Sequence, residues 1–223
     1  MSKLLIVTCT KSKTNDEFEK RPIFKSLQRH YDSNENIDLL IFKDNSIGLS
    51  AQYNKALHDP NNLESTVLFV HDDVELNDLF LYEKLINSPY DITGLAGAKT
   101  FDLSSSTPAW HLAAPRNEFV GEVSHSKDGG VWTTVFGPTN SRALIVDGLF
   151  ISCKVKKLIQ NQVSFDEDFK FHFYDICLCL NANNKRVSCG VLPIYAVHHG
   201  LGDSLLSEEW KNSSKQFKQK YNL

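Results

Sequence analysis

The 223-residue sequence predicts an α/β fold: a mostly parallel central sheet with helices on both faces and a smaller mixed β region. Three observations predict it. Strand-like apolar runs alternate with helix-capable segments through the first 100 residues. The run Val67-Leu68-Phe69-Val70 is continuously apolar, as in a strand covered on both faces. After Gly97 the composition turns to Ser, Pro, Gly and Thr with sparse β runs, which belongs to a different, smaller layer.

In order, residues 3–8 read as the first strand, 22–31 as a helix and 37–42 as the second strand. Residues 49–57 read as a helix closed by Asp59-Pro60, since proline cannot continue a helix. Residues 66–70 are the third strand, 79–86 a third helix and 91–96 a fourth strand. Ser126-Lys127-Asp128-Gly129-Gly130 is a turn signal, flanked by strand candidates at 118–120 and 131–136. Residues 142–146 form an apolar run before Asp147-Gly148, 154–160 a short helix, and 171–181 a helix-capable segment. Residues 187–197 are strand-like, with Pro193 marking an edge or bulge. Residues 205–221 form at best a polar terminal helix. The expected organisation is one domain over 1–223: a nucleotide-binding half at 1–100, a pocket half at 101–203 and a basic tail at 204–223.

Composition sets outer limits. A hydrophobic fraction of 41% supports a substantial core. A net charge of −3 and a pI near 6.2 exclude general polyanion affinity. The tail is the local exception, with four lysines and no acid from Trp210 onward, read as a solvated helix or frayed terminus, with an anionic partner as the other reading. The sequence has no integral membrane segment and no signal-like start, so a cytoplasmic location is expected. Cys9, Cys153, Cys177, Cys179 and Cys189 are odd in number and irregular in spacing, which fits reduced thiols.

Chemistry is concentrated at a few points. The third strand ends in His71-Asp72-Asp73. Carboxylates at the C-terminal end of a strand sit where open α/β sheets bind ligands. Two adjacent acids repel unless a cation such as Mn²⁺ or Mg²⁺ lies between them; the competing reading is a solvated turn. Asp44-Asn45 follows the second strand, and Gly48-Leu49-Ser50 opens a helix. That pairing suits a base-contacting carboxylate and a phosphate near a helix start, or equally an ordinary turn and cap. Gly148 permits close approach to a ligand, or serves as a bulge. Asp175 lies in a largely apolar stretch, where burial would raise its pKa toward the range of a general base. Adjacent His198 and His199 would point to opposite faces, so that one can reach a metal. Trp132 is either a sugar-stacking platform or core.

Taken together, these segments resemble family 2-type glycosyltransferases of the GT-A fold. The resemblance covers residues 4–200. Asp44-Asn45 through Gly48-Leu49 to Tyr53-Asn54 resembles the family's nucleoside-side segment, and His71-Asp72-Asp73 its DXD motif. Val146-Asp147-Gly148-Leu149-Phe150 resembles its acceptor-side strand, Phe165-Asp166-Glu167 to Tyr174-Asp175 its late acidic helix, and residues 193–200 its closing strand with histidine.

The resemblance implies a metal-dependent, inverting transfer of a sugar from a nucleotide-diphospho-sugar donor, of UDP type, to an acceptor hydroxyl. Thr8, Thr10, Asp44, Asn45, Asp72 and Asp73 would bind the nucleotide. Asp73, with His198 or His199, would bind Mn²⁺ or Mg²⁺. Asp175 would be the general base, and Trp132, Asp147 and Gly148 would lie near sugar or acceptor. The acceptor is left open among glycan, protein, lipid head group and modified nucleic acid base. Two departures stand out: His71 replaces the first DXD acid, and Ile176-Cys177 follow Asp175 where the family often has a second acid. The alternative is a GT-A-like module that binds a sugar nucleotide or glycan without turnover.

Overall fold

A computed structural model describes residues 2–200 and 207–222. The first half runs β1 (Leu4–Cys9), α1 (Asn15–Phe18), α2 (Ile23–Ser33), β2 (Ile37–Phe42), α3 (Leu49–Leu57), β3 (Thr66–His71), β4 (Val74–Leu76), α4 (Leu81–Ile86), β5 (Ile92–Gly94) and β6 (Ala96–Ala98). The second runs β7 (Phe119–Lys127), β8 (Gly130–Val135), β9 (Ser141–Ala143), β10 (Ile145–Val146), β11 (Phe150–Lys154), α5 (Val155–Gln160), α6 (Tyr174–Asn184), β12 (Cys189–Val191), β13 (Ala196–His198) and α7 (Glu208–Lys220).

Two sheets result. The larger has the order β2-β1-β3-β11-β5-β12-β9. Its pairings make five strands run one way, with β11 and β9 opposed. The smaller has the order β10-β6-β7-β13-β4, with β8 paired to β7. The single strand expected at 91–96 is divided: Ile92–Gly94 joins the large sheet and Ala96–Ala98 the small one. The chain passes from one sheet to the other at Leu95, and within the small sheet Gly97 lies so close to β10 that a Cβ would be 2.0 Å from the Ile145 carbonyl oxygen.

The continuous apolar run of β3 is buried as its pattern predicts, with Val67 to Val70 fully enclosed. The helix at Leu49–Leu57 begins at Gly48, whose φ of +100° is open to glycine and strained for other residues. The five cysteines are free and buried. No described helix is long and apolar enough to cross a membrane.

The tail differs most from expectation. Residues 205 and 206 of the expected helix lie outside the described residues, but α7 beyond them is neither frayed nor free. Ser207 caps it by accepting from the Trp210 amide at 3.0 Å, with Glu208 and Glu209 in the first turn. Phe217 is fully buried against Phe101, Phe169 and Phe173. Lys220 pairs with Asp166 and Asp168, and Lys218 donates to the Ser106 carbonyl. A lysine count alone conceals such docking, because the aromatic residues that drive it are few and widely spaced.

Candidate active site

At the C-terminal ends of β1 and β2 the loops are tied to each other. The Asn45 amide donates to the Thr10 carbonyl and the Asp44 amide to the Ser12 carbonyl, both at 3.0 Å. Thr10 Oγ1 donates to Ser12 Oγ, and Asn45 Oδ1 accepts from Gln52 Nε2. Asp44 is exposed with a positive φ of 48°, a turn geometry that Asp tolerates. Thr8 is buried, and its Oγ1 has no partner among the described residues. Thr10, Asp44 and Asn45 thus gather on one rim of the sheet, with Thr8 near the end of β1 below them.

The two acids after β3 diverge. Asp72 Oδ1 accepts from Arg21 Nη2 at 2.7 Å, so its charge is already paired. Asp73 turns toward β13, its Oδ2 3.4 Å from His198 Nε2. Its Oδ1 is buried with no partner among the described residues. Burial works against ionisation of Asp73, but the hydrogen bond to His198 and the proximity of His71 outweigh it and hold the carboxyl below its ordinary value. For His198 burial disfavours charge, and Asp73 outweighs it and raises the ring's pKa. His199 is directed away, with Nε2 3.2 Å from Glu75 Oε2. The side chains decide between the two histidines: the His198 ring faces the Asp73 carboxylate, whereas His199 meets Asp73 through its backbone amide, which donates to the Asp73 carbonyl at 2.8 Å.

The donor set fits a divalent cation. Asp73 Oδ2 faces an imidazole nitrogen while its Oδ1 is buried without a partner among the described residues, and Asp with His suits Mn²⁺. Gly200 leaves the space open, since a Cβ there would lie 2.5 Å from both Asp73 Oδ2 and His198 Nε2. Among the described residues no third ligating side chain converges on the pair.

A cleft of about 1130 Å³ runs from this pair to the start of α6. It brings together Asp73, His198, Asp147, Gly148 and Asp175. Asp147 Oδ1 accepts from the Leu149 amide, and its Oδ2 accepts from Trp110 Nε1 at 2.8 Å. Gly148 approaches α6 so closely that a Cβ would lie 2.6 Å from Tyr174 Oη and 3.1 Å from Asp175 Oδ2. Asp175 lies in the first turn of α6. Burial, then the charge of Asp147, push its carboxyl up to about 7, against the pull of nearby backbone amides. The residue before the helix, Phe173, has a φ of +66°, a strained conformation for a bulky side chain. Phe217 and Trp210 of α7 pack on its ring and brace it.

Trp132 is not part of the cleft lining. It is 50% exposed and stacks on His125, 5.6 Å between centroids. On the hairpin it lies directly across from His125, which does line the cleft, so Trp132 stands behind that ring and not in the lining. Two other tryptophans line the cleft: Trp110, beside Asp147 in an irregular segment between β6 and β7, and Trp210 of α7. A residue outside any periodic element carries no sequence signal for which way it faces. Thr8, Thr10, Asp44, Asn45, Asp72 and His199 also lie outside the lining.

No family model matches the chain, and no curated protein matches it. Solved structures do. S. aureus TarS 1-349 in complex with UDP-GlcNAc aligns with a TM-score of 0.54 at 17% identity, over 98% of this chain and 66% of that one. The same protein in complex with UDP gives 0.49 at 16% identity, over 89% and 60%. A197 from STIV gives 0.49 at 14% identity, over 89% and 86%. This chain therefore spans less than two thirds of the S. aureus structures. At 17% identity the TarS likeness is one of fold.

Proposed function

We propose that this chain is a metal-dependent glycosyltransferase that moves a sugar from a UDP-type donor to an acceptor hydroxyl with inversion. The observation that supports it most is the pairing of unlike carboxylates in one cleft. Asp73, with His198, stays ionised at one end; Asp175, raised to about 7, stands at the other. Asp73 and His198 would hold Mn²⁺ or Mg²⁺, which when bound neutralises a diphosphate leaving group. Thr8, Thr10, Asp44 and Asn45 would receive the nucleoside on the adjoining rim, with residues 1–100 as the nucleotide half. Asp175 would take the proton of the attacking hydroxyl, a role that requires a pKa near working pH. Asp147 and Gly148 would border the sugar. Trp110, Phe171 and Trp210 would give the acceptor end an aromatic wall, a surface suited to an extended acceptor such as a glycan.

One observation favours the second reading, a binding module without turnover: Asp72 is taken by Arg21, so the strand-end pair offers one free acid instead of two. Calorimetry with UDP and UDP-GlcNAc, with and without Mn²⁺, followed by a donor-hydrolysis assay, separates the two. Mn²⁺-dependent binding with hydrolysis supports the enzyme. Binding without hydrolysis or transfer supports the module, and absence of binding removes both.

A further inference from the structure

Tyr174 immediately precedes Asp175 and is buried, yet neither metal binding nor the proton transfer to Asp175 makes use of it. Its hydroxyl donates to the Gly148 carbonyl at 2.6 Å. The same oxygen lies 2.8 Å from His71 Nε2. A tyrosine hydroxyl has one proton, and a carbonyl can only accept. The proton therefore goes to Gly148, and His71 Nε2 must carry its own hydrogen and donate to the tyrosine oxygen. This holds whether the imidazole is neutral or charged. The result is a directed chain: His71 Nε2–H to Tyr174 Oη–H to the Gly148 carbonyl.

The chain joins three separate segments. His71 ends β3, two residues before Asp73, and its own amide is held by the Leu149 carbonyl at 3.1 Å. Gly148 follows Asp147, and Tyr174 opens α6. We propose that Tyr174 is a positioning residue for the transfer reaction, its hydroxyl locking the strand that carries Asp73 to the Asp147-Gly148 turn beside Asp175. The proposal rests on the transferase reading for its consequence, though not for its geometry. Joined in this way, the two acids cannot drift apart, and the cleft keeps a fixed span between Asp73 and the base. Without the hydroxyl the turn would keep its bonds through Asp147 and the Leu149 carbonyl but lose its tie to α6, so that Asp147 would be held less closely to Asp175 and water could enter between them.

Tyr174→Phe tests this, because the ring and its contacts with Tyr53 and Phe165 are kept. The first readout needs no ligand: the ¹³C titration of the Asp175 carboxyl, assigned by its absence in Asp175→Asn. The midpoint is expected to fall by about one pH unit or more from its native position. With UDP-GlcNAc and Mn²⁺, kcat for donor hydrolysis or transfer is expected to fall about tenfold or more while KM stays within about twofold. His71→Gln, which still offers an N–H to the tyrosine oxygen, should hold the Asp175 midpoint, and His71→Leu should not. An unchanged midpoint in both Tyr174→Phe and His71→Leu would overturn the joint. A wild-type protein that neither binds nor turns over UDP-sugars defeats the transferase reading instead, and the Asp175 titration then decides the joint alone. Should Tyr174→Phe fail to fold, the His71 pair gives the answer.

Discussion

Asp73 and Asp175 line the same cleft under opposite constraints. Asp73 faces His198 across 3.4 Å and has His71 nearby, so its carboxyl is held low despite burial. Asp175 is pushed the other way: burial, then the charge of Asp147, carry it up to about 7. The difference shows how one scaffold separates two roles with one residue type: a permanent charge for binding and a titratable group for proton transfer. It also follows the architecture. Asp73 hangs from the end of the sheet and is met by a second strand, whereas Asp175 is set by a short irregular stretch braced from behind by α7.

Four experiments break or sharpen that contrast. Asp175→Asn should have the largest effect on turnover, a loss of about 10²-fold or more, with nucleotide affinity preserved. Wild-type activity should rise with pH through about 7 as this carboxyl ionises. Stability should move the other way. A carboxyl whose folded pKa exceeds its unfolded value stabilises the fold below the unfolded pKa. That contribution is lost as pH rises through about 7, with a slope of about 1.4 kcal/mol per pH unit between the two values. Asp175→Asn should therefore melt higher than wild type at pH 8, with the gap closing toward pH 4. A melting difference independent of pH would mean that Asp175 is not raised.

Phe217→Ala should come next. Removing a fully buried ring from beneath α7 should cost about 3–5 kcal/mol by chemical denaturation. It should also lower turnover more than Mn²⁺-dependent binding, since α7 braces the base end. Equal loss at both ends would show that the contrast between them is superficial. Asp73→Asn should reduce the enhancement of UDP binding by Mn²⁺ about 10–100-fold, comparable at least to losses from altered metal-site partners. Unaltered Mn²⁺ dependence in calorimetry would place the cation elsewhere. Trp132→Ala should do least, within about 0.5–1 kcal/mol of stability and with turnover unchanged, because the ring is half-exposed and outside the cleft lining. A loss of turnover there would extend the acceptor surface onto β8.

Much of the first half is legible in the sequence because its signals are local. Gly48 and Asp59-Pro60 bracket α3, and unbroken apolarity marks β3 as buried. Asp128-Gly129 predicts the hairpin, and the structure pairs Lys127 with Gly130 across it. Other features are not legible. The short strand Val74–Leu76 is too brief to show a period, and it exists because β13 pairs with it. Local pattern narrows the partner of Asp73 to two adjacent histidines and no further. Trp132 stands out in the sequence because strand residues flank it, whereas Trp110, in an irregular segment, does not.

By itself the sequence determined which side chains can do chemistry and where strands end, because apolar runs and turn residues are read over a few positions. It placed Asp73 at a strand end and Asp175 in apolar surroundings. Only the tertiary structure decided that His198 and not His199 meets Asp73, that Arg21 claims Asp72, and that Tyr174 bridges His71 to Gly148. It alone showed that a lysine-rich tail docks through Phe217. Each of these is a contact between segments distant in the chain. Such contacts depend on sheet order and strand facing, which no local pattern encodes.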